Sequence, residues 1–297
     1  MMDAPHARKP VSVTFTGADG NRLGASLYGE AGPTVMLLHG GGQTRHAWRR
    51  AASVLGRSWR AYAIDQRGHG ASEWVESGAY RFTDYAADAR AVARQIAAAT
   101  GVRPVAVGAS LGGIASLVAL DDQADPVFSA LCLVDIVPDM RPEGVDAVQG
   151  FMRARARDGF ASVDEAADAV AAYLPHRERP RSTEGLRRNL RQDPDGRWRW
   201  HWDPRFLDGP LDVNSNWGEI EPLAMANARR LSVPGLLVRG AFSELVTDEA
   251  AEAFVAAAPR MRQVEVAKAR HMVAGDNNDA FIDAILPFLD EIAPLPA

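Results

Sequence analysis

Val105-Ala106-Val107-Gly108-Ala109-Ser110-Leu111-Gly112-Gly113-Ile114 is the stretch from which the rest of the chain can be read. Val105–Val107 is a short apolar run, too short for a helix and suited to a strand buried on both faces. Ala115–Leu120 reads as an apolar helix, with Ile114, Leu117 and Val118 leading it. Between them Gly108-x-Ser110-x-Gly112 makes a sharp turn. A strand, a serine at the apex of a tight turn, and a helix form the context of a nucleophile elbow. Glycines at 108 and 112 relieve the crowding that side chains would create there. The serine hydroxyl then projects at a helix N-terminus, where the dipole favours developing negative charge.

The neighbouring sequence repeats the strand–helix alternation. Val11–Phe15 and Leu23–Tyr28 read as a hairpin around Ala18-Asp19-Gly20-Asn21. Buried-strand runs follow at Thr34–Leu38, Arg60–Ile64, Ala130–Val134, Gly235–Val238 and Gln263–Val266. Helices are expected at Thr83–Thr100, closed by Gly101, and at Thr247–Ala258 and Asp279–Ile292. Pro287 should kink or split the last of these. Such alternation implies a mostly parallel sheet covered by helices on both faces, with ligands beyond the carboxyl ends of the strands. His39, Asp65, Ser110 and Asp135 all fall at or near those ends. From about Pro138 to Arg230 the alternation stops, and the stretch is too long for a crossover loop. It carries helical patches (Val145–Ala156, Val163–Leu174, Thr183–Leu190) and four of the seven tryptophans, and is read as an inserted helical cap. The expected division is a core of residues 1–137 and 231–297 with a cap of 138–230.

Composition narrows the function classes. With 33 basic and 38 acidic residues the formal net charge is −5, which disfavours nucleic acid as a partner. The single cysteine, Cys132, excludes an internal disulfide and a cysteine zinc site; it lies in a buried-strand run and reads as core. No His-Glu-x-x-His spacing implies a metal, and no Gly-x-Gly-x-x-Gly follows the first buried strand, so no cofactor is expected. Met1–Pro10 is polar and unlike a signal peptide, and no apolar run reaches the ~20 residues of a membrane span. The expected location is cytoplasmic, without membrane association. The expected partner is a small-molecule substrate, and a homodimer is the oligomer to test for.

Three motifs with a late histidine carry a family resemblance: His39-Gly40-Gly41-Gly42, Asp65-Gln66-Arg67-Gly68-His69-Gly70-Ala71-Ser72, Gly108-Ala109-Ser110-Leu111-Gly112-Gly113, and His271. From Val11 to Leu289 the chain resembles the α/β-hydrolase fold family, in its serine-hydrolase, esterase-like form with a helical cap. The resemblance implies an eight-stranded sheet and a triad in the order serine, acid, histidine. Ser110 takes the first place. His271 takes the last, since His176 and His201 lie in the expected cap. The acid usually follows the strand at Gly235–Val238, where Glu244 is the first choice and Asp248 a weaker one. Asp135 is the alternate, because some members use the position after the preceding strand. The resemblance also implies an oxyanion hole from the N–H groups of Gly41 and Leu111, with Gly42 the alternative in the glycine loop. His39, His46, Trp198 and Trp202 are candidate substrate contacts. The activity implied is cleavage of a small, mostly apolar carboxylic ester through an acyl-enzyme. The same triad serves C–C bond hydrolases, lactonases and cofactor-free haloperoxidases, and a small-molecule receptor of the same fold is a further reading. Serine at 110 argues against relatives with an aspartate nucleophile.

Overall fold

The computed structural model describes residues 9–176, 179 and 182–293. The polar start expected to lack a targeting signal lies mostly outside the described residues.

Strands β1 (Val11–Thr16) and β2 (Arg22–Tyr28) form the expected hairpin, followed by β3 (Thr34–Leu38), α1 (Arg49–Leu55), β4 (Arg60–Ile64), α2 (Phe82–Thr100), β5 (Val105–Ala109), α3 (Leu111–Ala119) and β6 (Ala130–Val134). A long insertion then holds α4 (Pro142–Arg153), α5 (Val163–Tyr173), α6 (Glu184–Arg187), β7 (Leu190–Gln192), β8 (Trp198–Trp200) and α7 (Trp217–Arg229). The chain returns through β9 (Gly235–Gly240), α8 (Asp248–Ala257), β10 (Met261–Val266), α9 (Val273–Asp276) and α10 (Asn278–Ile292). The main sheet has eight strands in the order β1-β2-β4-β3-β5-β6-β9-β10. Pairing is antiparallel at β1–β2 and β2–β4 and parallel from β4 onward.

Continuous apolar strands exist because both faces are covered. In β3, Met36 and Leu38 join the core beneath α2 and α3, while Val35 and Leu37 join the core beneath α1 and α10. In β6, Leu131 and Leu133 face the first core, and Ala130, Cys132 and Val134 the second. Cys132 is fully buried, and burial pushes its thiol up, so it is core as expected. The parallel register sets Leu38 beside Gly108 and Ala109 beside Val134. The residues that follow, His39, Ser110 and Asp135, therefore emerge along one edge of the sheet.

Three elements depart from expectation. The insertion contains a small antiparallel hairpin, β7–β8, stabilised by the tryptophan-rich segment rather than by helix. Helix α7 falls inside the expected cap but packs on α2 and α3, with Asn227 Nδ2 donating to the Leu117 carbonyl at 3.2 Å. Pro287 sits inside α10, which runs through it. Phe281, Ile282, Ile285, Phe288 and Leu289 bury one face of that helix on both sides of the proline. Their burial outweighs the roughly 3 kcal/mol penalty of an interior proline.

The Asp65–Ser72 segment is structural, as its two glycines and its arginine suggest. Arg67 is fully buried and gives both Nε and Nη2 to the Asp88 carboxylate at 2.7 Å, with Nη1 on Asp19 at 2.8 Å. Asp65 pairs with Arg45 and accepts the Ala71 N–H at 2.8 Å. No helix among the described residues is long and apolar enough to cross a membrane.

Candidate active site

Ser110 caps α3 with φ 47° and ψ −114°, a conformation that side chains normally avoid. The glycines around it make this possible. A Cβ on Gly108 would lie 2.4 Å from the Gly112 carbonyl oxygen, and one on Gly112 would lie 2.5 Å from that of Leu38. The strained turn leaves Ser110 lining a cavity of about 610 Å³, and His271 lines the same cavity from the loop between β10 and α9.

His271 Nδ1 lies 3.0 Å from Asp135 Oδ2. Asp135 follows β6, is fully buried, and adopts φ 49°. Its Oδ1 accepts the Gly240 N–H at 2.8 Å and its Oδ2 accepts the Ser243 hydroxyl at 2.6 Å. A buried carboxylate needs such donors to remain charged. Of the two candidate acids it is thus the alternate, Asp135, that the structure brings to the His271 ring, and not Glu244, the first choice from sequence. Its carboxylate pairs with Arg270 at the surface and meets only the backbone N–H of His271, at 3.4 Å. The reason is reach: the 240–246 loop turns Ser243 inward to Asp135, which carries Glu244 outward. Asp248 pairs with Arg239 at 2.5 Å.

The glycine loop distinguishes its own N–H groups. Gly40 N–H donates to Gln43 Oε1 at 3.2 Å, and Gly42 N–H to His69 Nε2 at 3.1 Å. Among the described residues no acceptor takes the Gly41 N–H. Leu111 opens α3, so its N–H is among those a helix leaves unused. These are the two donors expected from sequence, and both residues line the cavity. Gly42, the alternative, is committed to His69. It has φ 74°, and a Cβ there would lie 2.7 Å from Met152 Cε.

Three buried histidines support this loop from below. His39 Nδ1 faces the Gly40 carbonyl at 2.8 Å and Nε2 accepts the Gln66 N–H at 3.1 Å. His39 is thus a strut, fully buried and absent from the cavity wall, which corrects its expected role as a substrate contact. His69 faces the Arg67 carbonyl at 2.9 Å, and His201 Nδ1 accepts the Gly70 N–H at 2.6 Å. Burial is the first cause that pulls all three down to about 3 from 6.5; neighbouring histidines add to it. They fold neutral, whereas the unfolded chain takes up protons below about pH 6.5. Stability should therefore be complete above about pH 6.5 and fall as pH drops towards 3, by up to about 1.4 kcal/mol per histidine per pH unit. Thermal melts between about pH 7 and 4 check this, and a Tm flat across that range would refute it.

Of the tryptophans, Trp202 lines the cavity beside Gly42. Trp198 does not; its ring stacks under Arg187 at 4.9 Å, and its backbone pairs with Phe160. Its neighbour in β8, Trp200, reaches the wall instead. The two residues share a face of the strand, and the difference lies in their surroundings: Trp200 is packed edge-on against Phe151 and Phe160, while Trp198 is only partly buried. His46 lines the cavity as expected. Ser243, Arg49 and Arg188 escaped the sequence reading, and Trp200 entered it only as one of the four tryptophans of the expected cap. Only Ser243 had a signal, as a hydroxyl following the Gly240 turn. Among the described residues no group of three His, Cys, Asp or Glu side chains could hold a metal ion.

Comparison with known proteins agrees with this architecture. The model of the alpha/beta hydrolase family matches residues 35–284. The chain is 32% identical over 273 residues to the esterase Rv0045c of Mycobacterium tuberculosis, covering 90% of this chain and 86% of that one. It is 28% identical over 276 residues to 2-(acetamidomethylene)succinate hydrolase of Mesorhizobium japonicum, covering 88% and 89%. A crystal structure of E-2-(acetamidomethylene)succinate hydrolase superposes with a TM-score of 0.80 over 95% of this chain and 99% of that one, at 23% identity. A sheet of this order, with a serine on a strained strand–helix turn and a match across most of its length, places the chain in the alpha/beta hydrolase family.

Proposed function

We propose that the protein is a serine hydrolase that cleaves a small, mostly apolar carboxylic ester through an acyl-enzyme. The observation that carries the reading is the contact of His271 Nδ1 with buried Asp135 at 3.0 Å, in a cavity that Ser110 also lines. Asp135 keeps the Nδ1–H tautomer, which frees Nε2 to act as base. Ser110 Oγ gives its proton to Nε2 and attacks the carbonyl carbon. The Gly41 and Leu111 N–H groups receive the oxyanion, and His271 returns the proton to the departing alcohol. Water then repeats the sequence on the acyl-serine and releases the acid. The insertion acts as a cap: Met152, Phe206 and Trp202 close over the glycine loop and give the pocket its apolar character. C–C bond, lactone and haloperoxidase chemistry on the same groups are the alternatives that a substrate panel separates.

The direct test is a fluorophosphonate probe with short p-nitrophenyl esters as competing substrates. Expected is one phosphonyl adduct, located on Ser110 by peptide mass spectrometry, with turnover lost in proportion to labelling. Labelling elsewhere, or turnover that survives complete labelling, would overturn the reading. Stoichiometric capture without any multiple turnover would favour the receptor.

A further inference from the structure

The cavity wall carries an asymmetry of charge. About one residue in eight of the chain is acidic, yet among the described residues no Asp or Glu lines the cavity that holds Ser110. Among the described residues its permanently charged wall residues are Arg49 and Arg188. Arg49, the first residue of α1, has no acidic partner among the described residues. Arg188, from the insertion, has among the described residues only Glu184, one helical turn away at 3.9 Å, and both side chains are open to solvent. Such a pair leaves most of the positive charge uncompensated. The nearby Arg45 behaves differently, because buried Asp65 neutralises it.

One arginine comes from the core and the other from the insertion, and the two act on one locality. Thr44 Oγ1 donates to Asn189 Oδ1 at 3.2 Å, which ties the loop before α1 to the segment bearing Arg188. His46 feels both and is held below its ordinary pKa, first by partial burial and then by Arg45, Arg188 and Arg49. The same three guanidinium groups oppose the upward shift that burial gives the Tyr28 phenol. The smaller cavity beside His271 does contain acids, but Glu244 is paired with Arg270 and Asp276 accepts the Arg270 N–H at 2.9 Å.

We propose that the substrate carries a carboxylate as well as the scissile ester, and that Arg49 and Arg188 receive it while the apolar wall holds the intervening chain. The proposal rests on the esterase reading and specifies its substrate class. A guanidinium presents paired donors matched to a carboxylate, and the described wall sets no carboxylate against an incoming anion. The carboxylate can sit on the acyl or the alcohol portion, and matched substrates tell these apart.

The test uses two pairs of esters that differ only in replacing a terminal methyl by a carboxylate. For the acyl side these are ethyl hexanoate and monoethyl adipate. For the alcohol side they are butyl butyrate and the butyrate ester of γ-hydroxybutyrate. In one pair the wild type should prefer the anionic member by about tenfold in kcat/KM, and the double variant Arg49→Gln/Arg188→Gln should lose that ratio, mainly through KM. Arg188→Lys should retain part of it. A neutral preference in both pairs, or equal loss of both members in the double variant, would overturn the proposal; the latter is what a purely structural role produces. If no ester is hydrolysed in a Ser110-dependent way, the esterase reading itself fails. Calorimetric binding of monoethyl adipate then decides the anion site: binding weakened about tenfold in the double variant supports it, and absence of binding removes it.

Discussion

Ser110→Ala is expected to lower kcat/KM for a short ester by a factor on the order of 10⁴ or more while the chain stays folded. The loss follows from the covalent step, since a methyl group can neither attack nor leave. What remains is the contribution of the Gly41 and Leu111 donors to attack by water. Folding should be spared because the strain at φ 47° belongs to the backbone and to Cβ, which alanine retains. The bonds from the Gly113 and Ile114 N–H groups to the Ser110 carbonyl, at 2.9 and 3.1 Å, do not involve the hydroxyl. Initial rates on p-nitrophenyl butyrate and a thermal melt of the same preparation check both halves. A variant that keeps a tenth of the activity would show that the nucleophile lies elsewhere.

Asp135→Asn should cost nearly as much, on the order of 10³- to 10⁴-fold in kcat, whereas Glu244→Gln should stay within about threefold. All three groups facing the Asp135 carboxylate are donors: the Gly240 N–H, the Ser243 hydroxyl and His271 Nδ1–H. An asparagine keeps one oxygen. Turned to the Gly240 N–H, it presents its NH₂ to His271, which must then accept through Nδ1 and carry its proton on Nε2. That tautomer cannot take the proton from Ser110. Turned the other way, it sets two donors against each other at Gly240 and destabilises the loop. Glu244 by contrast contributes an ion pair in which both side chains are about half exposed, and such pairs contribute little. Measuring both variants over a pH series decides the assignment, and a large loss confined to Glu244→Gln would reverse it.

Much of the core was legible because burial on two faces writes itself into sequence. Thr34–Leu38, Arg60–Ile64 and Ala130–Val134 are unbroken apolar runs of strand length and match β3, β4 and β6 to the residue. The strained turn that carries Ser110 and the loop that carries Gly41 were legible because glycines mark where backbone must approach backbone. The acid was not fixed this way. Glu244 and Asp135 each follow a strand, and the choice depends on which carboxylate the loop turns inward, a tertiary property. One physical clue was present: Asp135 stands within Leu133-Val134-Asp135-Ile136-Val137, and a charge in an apolar run must find partners. The insertion was least legible, since its hairpin and its cavity-facing tryptophan depend on contacts with the core rather than on period.

The insertion leaves the sheet after Asp135 and returns at Gly235, yet β6 and β9 are hydrogen-bonded neighbours. Because the pairing is parallel, with Leu131 beside Gly235, its two ends lie at opposite ends of adjacent strands, held roughly 14 Å apart by about four residues of strand at ~3.3 Å each and one inter-strand spacing of ~4.8 Å, whatever lies between them. The entropy of closing such an excursion grows only with the logarithm of its length, by about 0.6 kcal/mol per doubling. The seam that closes it also carries the Gly240 N–H to the Asp135 carboxylate. Residues that shape the pocket can thus be lengthened, shortened or exchanged at small thermodynamic cost, with the acid's anchorage unchanged. In this architecture substrate range and proton chemistry are separately variable properties of one chain.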